Sequence, residues 1–466
     1  MAIQSGGWRD HLIRAQIARS RAFKDYLTAL RAREFSSDLP RELLSFYDAV
    51  NDGIVAKLQD LRGDLLFRDF GDDAAEVHLV RYSELYQFLY SVTSDLEHVE
   101  ASRTIVEFSP LLHRLALPHS KDLRLVLHAL PEVNYSWADP VSLLRDIARQ
   151  LEISVDESPP SRNVWSIGFP GLQPGQTLVH TLLSHELGHG IVHSESSLGS
   201  LRAQVRISAE RIKALVQGVP PGVPRAPVRR FLRRYLNRVL GKWVDEIACD
   251  VIGYTLTGPA FLFASIHFLP ALAALDSASQ EYPSIRLRLS LLFRLLKAEL
   301  GYSPREVCTD AQYEQWFIKE GAARFLGEWD RHINADAPPY GDNPHDIVAE
   351  AIDQSFEALL QAIGSKVQRL RRYRFTDHRD QVRQLVGRLD FSVPPNELDQ
   401  PPRAVADAVC IMNAGWIAYL SLVEPLSSEH GWDEWTTRSR IEEWVAKALE
   451  LQEVQRRWDE VSSNGG

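Results

Sequence analysis

The sequence predicts a mainly α-helical protein with a small sheet near its centre. Residues 1 to about 155 are mostly helix-patterned, because apolar side chains recur at intervals of three and four, as in HLIRAQIA from position 11. The chain is again helix-patterned after about residue 300. Two runs favour strands instead: residues 123–128, which partly alternate, and residues 163–169, which end at Pro170-Gly171.

Composition is typical of a globular intracellular protein. At 466 residues and 45% hydrophobic, the chain can bury a large core, and its length predicts two or three domains. The net charge of −10 argues against general nucleic-acid binding. Three cysteines are too few for a disulfide framework and indicate a reducing compartment. The first ten residues lack the apolar core of a signal peptide, so we expect a cytoplasmic protein.

Proline-rich breaks divide the chain into three predicted parts. An N-terminal helical region covers residues 1–155 and is followed by the linker ESPPS at 157–161. A core covers residues 156–300, with an insertion at 194–242. A C-terminal helical domain covers residues 301–466.

The most informative stretch is HELGH at residues 185–189, an H-E-x-x-H pattern inside a segment of helical character. At about 100° of rotation per residue, His185 and His189 lie roughly 40° apart on one helix face. Two imidazoles one turn apart can chelate one zinc ion, and Glu186 is placed as the base beside the metal-bound water. One Zn²⁺ per chain is therefore the predicted cofactor.

A catalytic zinc needs a third protein ligand and an open fourth position. The metzincin arrangement would require Gly and His where this chain has Val192 and Glu195. His193 lies one turn further along, but three ligands from one straight helix cannot readily surround a metal. The better candidate is Glu246, in the segment VDEIACDVIG, 57 residues after His189 (246 − 189).

Glu246 and Asp250 are four residues apart and share a helix face. One carboxylate can ligate the zinc while the other accepts a hydrogen bond from a ligating imidazole, which fixes the tautomer of the ring. We assign Glu246 as the third ligand. Cys249 could also close a four-ligand structural site, although a small buried residue is the simpler interpretation.

H-E-x-x-H followed at long range by E-x-x-x-D resembles the gluzincin zinc metallopeptidases. The variant with a small residue before the aspartate and a glycine three residues after it is similar to the CAAX prenyl endopeptidase and heat-shock membrane protease family. The segment YPSIRLRL at residues 282–289 is similar to that family's H-P-x-x-x-x-R motif, with Tyr282 in place of its histidine. The resemblance covers about residues 160–300.

The resemblance implies peptidase activity and a gluzincin-like core, which consists of a zinc helix and a small sheet. Carried over residue by residue, it implies zinc ligands at His185, His189 and Glu246. It also implies a general base at Glu186 and an orienting role for Asp250 toward His185.

Two further residues take roles from the same resemblance. Tyr282 would face the reacting carbonyl, where a phenol can donate the same stabilising hydrogen bond as an imidazole. Arg288 matches the arginine of the motif and would lie just behind the ligands.

The related proteases span membranes, so one uncharged stretch of this chain, residues 251–275, needs an explanation. A membrane span needs about 20 apolar residues. Pro259 and Pro270 interrupt the stretch, and Gly258 precedes the first proline. We therefore predict two buried helices divided near Gly258-Pro259, and no association with membranes.

The strand at 163–169 lies just upstream of the zinc helix. In gluzincin-like folds such a strand borders the cleft, and an extended peptide can pair with its edge. Trp165, Ile167 and Phe169 are therefore the candidate substrate-binding residues. The alternative is an ordinary core strand.

The insertion carries a breaker cluster, GVPPGVP at 218–224, and then a basic helix. The basic residues of this helix are Arg225, Arg229, Arg230, Arg233, Arg234, Arg238 and Lys242. An acidic partner, a lid or an anionic membrane surface would each suit such a helix. We favour a solvated face that pairs with the carboxylates of this acidic protein, as charge runs usually do.

In the C-terminal region, CIMNAGW at residues 410–416 places Asn413 and Gly415 inside an apolar helix. This pattern predicts close packing or a buried polar contact. A structural role is favoured over a catalytic one.

The sequence as a whole predicts a zinc-dependent peptidase. An endopeptidase is favoured, because no added acidic motif is placed to hold the free amine of a substrate. The expected partner is a protein or peptide substrate, with no nucleic acid. The alternative hypothesis is a zinc-containing regulatory or scaffold protein with little or no peptidase activity, since the helical flanks make up most of the residues.

Overall fold

The structure is a computed structural model. It describes residues 7–33, 35, 38–67, 72–97, 99, 108–120, 122–130, 134–153, 163–171, 176–194, 198–304, 317–335, 339–370, 372–399 and 404–464. The predicted linker at 157–161 and Cys308 lie outside these residues.

Helices dominate the described residues, which confirms the predicted mainly α architecture. The first eight helices and the strands are, in chain order, α1 Gly7–Arg31, α2 Leu39–Phe67, α3 Asp72–Glu97, α4 Ser109–Ala116, β1 Arg124–Leu130, β2 Ser136–Ala138, α5 Pro140–Gln150, β3 Val164–Pro170, α6 Leu183–Ser194, α7 Leu198–Arg202 and α8 Ala209–Gln217. The remaining helices are α9 Arg225–Thr257, α10 Pro259–Leu272, α11 Ile285–Leu300, α12 Glu320–Asp330, α13 Pro344–Lys366, α14 Phe375–Asp390, α15 Ala408–Ser421, α16 Val423–His430 and α17 Glu434–Asn464.

Contacts group the chain into two compact units. The first comprises Met1–Thr104 and Ser120–Pro174, and the second comprises Ile105–His119 and Gly175–Gly466. The sheet belongs to the first unit, whereas the H-E-x-x-H helix and Glu246 both belong to the second. The three-part division expected from the sequence stays a prediction.

The first unit packs its helices around a core of large apolar side chains, among them Phe23, Tyr47 and Leu89. Its sheet has the order β1-β3-β2, with β1 parallel and β2 antiparallel to β3. Both strands predicted from the sequence are confirmed, as β1 and β3.

In the second unit, the long helix α9 ends where the sequence predicts a break. Gly258 closes it with φ of 64°, a conformation that favours glycine, and Pro259 begins α10. Most side chains of α10 are buried. Two buried helices divided at Gly258-Pro259 are thus confirmed.

Asn413, on the buried helix α15, bridges this break. Its amide nitrogen donates to the carbonyl oxygen of Thr257 at 3.0 Å, and its Oδ1 accepts from the backbone N–H of Ala260 at 3.0 Å. These are backbone groups that the end of α9 and the start of α10 leave without helical partners. The expected buried polar contact is therefore present.

Gly415 confirms the expected close packing, since a Cβ there would lie 2.6 Å from Val445 and 2.7 Å from Leu178.

Two C-terminal helices hold the start of the H-E-x-x-H helix. A short 3₁₀ turn, Val179–Leu182, precedes α6. The backbone N–H of Leu178 donates to the carboxyl group of Glu442 on α17 at 2.8 Å. The indole of Trp416 on α15 donates to the carbonyl oxygen of Leu178 at 3.2 Å. Both backbone groups of Leu178, its N–H and its carbonyl, are thus held by C-terminal helices just before α6 begins.

None of the described helices alone has the length and apolar composition to cross a bilayer. Helices α15 and α16 meet that criterion only when counted together, and the chain bends by 70° between them.

We expect Asn413→Ala to lower the free energy of unfolding by about 2–4 kcal/mol, because it leaves two buried backbone groups without partners. Urea unfolding followed by circular dichroism measures this change. The control is Asn237→Ala, since Asn237 is exposed on α9, and it should shift stability by less than about 0.5 kcal/mol. Equal effects of the two substitutions would contradict the bridging role of Asn413.

Glu442 makes the stability of the fold depend on pH. Burial raises the pKa of this carboxyl to about 8, against the opposing effect of hydrogen bonds from the Leu178 and Thr177 N–H groups. The folded state therefore keeps a proton that the unfolded state releases near pH 4.5. The stabilisation is complete below that pH and is lost as the pH rises toward about 8.

We expect Glu442→Gln to remove this component. Between about pH 5 and pH 8, the wild type should lose stability relative to the variant. The loss is about 1.4 kcal/mol for each unit by which folding raises the pKa of Glu442. Urea titrations at several pH values measure the difference. Glu443→Gln, on the exposed side of α17, is the control and should follow the wild type. Parallel pH curves for Glu442→Gln and the wild type would contradict the assignment.

Candidate metal centre

Helices α6 and α9 approach unusually closely at the H-E-x-x-H motif. A Cβ atom added to Gly188 would lie 2.8 Å from the Cα of Cys249. No side chain larger than hydrogen fits there without moving one of the helices. Gly188 therefore sets the distance between the helix with the two histidines and the helix with Glu246.

The two imidazoles of α6 face one carboxylate of α9. His185 Nε2 lies 3.4 Å from Glu246 Oε2, and His189 Nε2 lies 3.6 Å from Glu246 Oε1. Donor atoms that are each about 2.1 Å from a tetrahedral zinc ion lie about 3.4 Å from one another. Each imidazole–carboxylate spacing is near this value, and the two rings face different oxygens of the same carboxylate. Two imidazoles and a carboxylate are also donors that zinc accepts.

The other nitrogen of each ring also has a close polar neighbour. His185 Nδ1 lies 2.9 Å from Asp250 Oδ1. His189 Nδ1 lies 3.7 Å from Asp245 Oδ1 and 3.2 Å from the sulfur of Cys249. A proton on Nδ1 leaves the lone pair of Nε2 directed toward Glu246, the arrangement that a ligating histidine needs.

Arg288, on α11, holds Asp250 in place. Its Nε and Nη2 donate to the two oxygens of Asp250 at 2.8 and 2.7 Å, and its Nη1 lies 3.7 Å from Glu246 Oε2. Burial disfavours the charge of Asp250, but the guanidinium outweighs it and holds the pKa of Asp250 well below its usual range. Arg288 thus orients one carboxylate and neutralises charge beside another.

The electrostatics of His185 link cation binding to proton release. Burial opposes protonation of the ring, but hydrogen bonds to Asp250 and Glu246 outweigh it and raise the pKa of His185 to about 10. The ring therefore carries a proton at neutral pH unless a cation replaces it. A ligating imidazole must be neutral, so metal binding here would release that proton.

Glu186 follows His185 on α6 and is 7% exposed. Burial raises the pKa of its carboxyl, and the charge of Glu246 acts in the same direction, whereas the two imidazoles lower it. Within the described part of the chain it has no hydrogen bond or ion pair. A carboxylate without competing donors is well suited to take up a proton.

Tyr282 lies at the rim, in the loop before α11, and is 53% exposed. Its backbone N–H donates to Ser279 Oγ at 2.9 Å, and the indole of Trp243 on α9 donates to the carbonyl oxygen of Ser279 at 3.0 Å. Partial burial and the charges of Glu246 and Glu186 raise the pKa of its phenol. The loop therefore keeps Tyr282 within the electrostatic field of the site.

A different donor set includes the thiol of Cys249. Ligand atoms of His185, His189 and Cys249 all lie within 4.8 Å of one another. The thiol, however, approaches Nδ1 of His189, the nitrogen that faces away from Glu246. Burial and the surrounding carboxylates raise the pKa of the thiol well above its usual value in the metal-free site. Glu246, which faces Nε2 of both rings, stays the predicted third ligand, and Cys249 belongs to the alternative donor set.

Asp245 is the residue that sequence reasoning missed. Its carboxylate lies 3.2 Å from His193 Nε2 as well as close to His189, so it contacts two rings of α6. Burial would raise its pKa, but the hydrogen bonds from these two histidines lower it well below its usual range. The ligand atoms of His189, His193 and Asp245 form the second close donor group among the described residues. We interpret Asp245 as an acceptor that orients both rings, because His193 is exposed to solvent.

The prediction of a substrate edge is wrong. Trp165, Ile167 and Phe169 are buried in β3, which lies between β1 and β2 and pairs with strands on both sides. A strand in the middle of a sheet has no free edge for a peptide. The alternative of an ordinary core strand is the one that the structure bears out.

A scan against protein-family models matches no family, and searches of curated proteins and of solved structures find no match. The resemblance to the gluzincins therefore rests on the motif residues.

We expect Gly188→Ala to weaken zinc binding at least tenfold and to lower the free energy of unfolding by about 1–3 kcal/mol, because the added methyl group forces α6 and α9 apart. Chelator competition and urea unfolding measure the two effects. Gly199→Ala is the control, since nothing lies within 4 Å of the added atom there, and it should leave zinc affinity unchanged. Undiminished zinc affinity in Gly188→Ala would contradict the account of helix spacing.

Proposed function

We propose that this protein is a zinc-dependent peptidase of the endopeptidase type, with a gluzincin-like core around α6 and α9. The observation that carries the proposal is the convergence of two imidazole Nε2 atoms, one helix turn apart, on a single carboxylate from another helix. Two histidines and one carboxylate leave the fourth position open, as catalytic rather than structural zinc sites do.

Bound zinc would supply a water molecule with a pKa near 7 and a Lewis acid for the carbonyl oxygen. His185, His189 and Glu246 would hold the ion. Glu186 would accept a proton from the attacking water and then pass it to the leaving nitrogen as the peptide bond breaks.

The surrounding charges prepare this chemistry. Asp250 and Asp245 keep Nε2 of the two ligand rings available, and Arg288 fixes Asp250 in turn. Burial shields Glu186 from bulk solvent, which strengthens each electrostatic contact in the site.

Tyr282 is proposed as a donor to the developing oxyanion. It occupies the position of the family's histidine, and its half-exposed place at the rim is accessible to a bound peptide. A phenol can donate one hydrogen bond to an oxygen that gains negative charge.

We expect Glu186→Gln to retain zinc and the fold while peptide cleavage falls at least ~100-fold, because the amide cannot take a proton. A library of mixed peptides incubated with zinc-loaded protein, analysed by mass spectrometry, measures cleavage, and elemental analysis measures zinc. The control is Glu210→Gln, since Glu210 is exposed on α8, and it should cleave like the wild type.

Full cleavage by Glu186→Gln would contradict the mechanism. A zinc-loaded wild type that cleaves nothing in the library, and gains no activity when a flank is removed, would favour the alternative of a zinc-containing scaffold.

A further inference from the structure

The basic helix of the insertion is the N-terminal part of α9, and its arginines lack the partners that we expected. The side chains in question are exposed: Arg225, Arg229, Arg230, Arg233, Arg234 and Arg238. Among the residues that the structure describes, none of the six forms an ion pair. Lys242 is the exception in this series, since it pairs with Glu281 at 2.9 Å. The predicted solvated face is confirmed by the exposure of these arginines, whereas its pairing with carboxylates of this chain is found, among the described residues, for Lys242 alone.

These arginines form two rows on the helix. Arg230, Arg234 and Arg238 are spaced by four residues and follow one line about 12 Å long. The other three arginines are Arg225, Arg229 and Arg233, which are also four residues apart. They follow a second line about 140° away around the helix axis.

The first row leads toward the candidate metal centre. Asp245, which contacts the histidines of α6, lies seven residues or two turns beyond Arg238 on the same face. Arg202 of α7 extends the row, because a Cβ added to Gly241 would lie 2.5 Å from its guanidinium carbon. Arg202 is also exposed and, like the six arginines of α9, has no ion pair with a described residue.

The chemistry of the row suits a series of carboxylates. A guanidinium binds a carboxylate with two parallel hydrogen bonds, and four such groups produce a strong local positive potential. An extended peptide advances about 3.3 Å per residue, so about four consecutive residues span the row. The protein as a whole carries a charge of −10, so an acidic ligand would be attracted to this surface and repelled elsewhere.

The same surface is poorly suited to a membrane. The apolar side of this helix is already covered: Leu236 and Val239 are buried, and Tyr235 stacks on His345. Phe231, 67% exposed, is the one large apolar side chain that this part of α9 presents to solvent. One aromatic ring is also too few for a base-stacking platform, which single-stranded nucleic acids require.

We infer that the row of Arg230, Arg234 and Arg238, extended by Arg202, binds an acidic segment of the peptide substrate and thereby aligns it with the metal centre. This inference rests on the proposed peptidase function for its purpose, but the binding itself can be measured without cleavage.

The test measures binding to the full-length Glu186→Gln variant, so that no peptide is consumed. The probe is a fluorescent peptide with a run of consecutive glutamates, compared by anisotropy with the same peptide carrying glutamines instead. We expect the acidic peptide alone to bind, and salt to weaken its binding. Arg230→Gln, Arg234→Gln and Arg238→Gln introduced together should weaken it at least tenfold. Arg225→Gln, Arg229→Gln and Arg233→Gln together remove the same charge from the other row and should cost less than threefold.

Equal losses for the two triple variants, or equal binding of the two peptides, would overturn the inference. The inference would also be overturned if a single-stranded oligonucleotide or phosphatidylserine vesicles bound through the first row and the acidic peptide did not. The two proposals fail separately. If the wild type cleaves peptides but the first row is neutral for binding, only this inference falls. If the acidic peptide binds through the row while the zinc-loaded wild type cleaves nothing in the peptide library, the binding surface stands and the peptidase proposal falls.

Discussion

The close approach of α6 and α9 is the constraint on which the rest of the site depends. Gly188 against the backbone of Cys249 brings the helices near enough for one carboxylate of α9 to reach two imidazoles of α6. Other parts of the second unit hold one end of each helix. Glu442 and Trp416 bind Leu178, which lies just before α6. Asn413 binds the backbone at the end of α9. Buried polar contacts outside the candidate metal centre therefore help to hold its two helices in place.

The charge of the candidate site would favour a divalent cation. Of the four carboxylates at the site, those of Glu246 and Asp250 lie beside one guanidinium, that of Arg288, and that of Asp245 lies beside His189 and His193. The fourth, Glu186, is buried, and the charges of the same groups shift its pKa. Burying such an excess of negative charge is costly unless cations compensate it. Protons on the histidines provide part of this compensation, and a zinc ion between the two rings and Glu246 would provide it more completely.

The parts of the site that the sequence predicts are those encoded by helical periodicity. His185 with His189, and Glu246 with Asp250, are each four residues apart, so their shared faces follow from the pattern alone. Sequence could not show which neighbour reaches which atom. It gave no sign that Asp245 contacts two rings, or that the arginines of α9 find no carboxylate. Similarly, alternation identifies β3 as a strand but not as the middle of a sheet, and the partner of Asn413 lies 156 residues away.

X-ray absorption at the zinc edge of the zinc-loaded wild type tests the central claim most directly. The geometry of α6 and α9 predicts two imidazole nitrogens and a carboxylate oxygen at about 2.0–2.2 Å, with no sulfur in the coordination shell. A sulfur scatterer at about 2.3 Å would assign the third position to Cys249 and contradict the proposed site. So would a protein that retains no zinc.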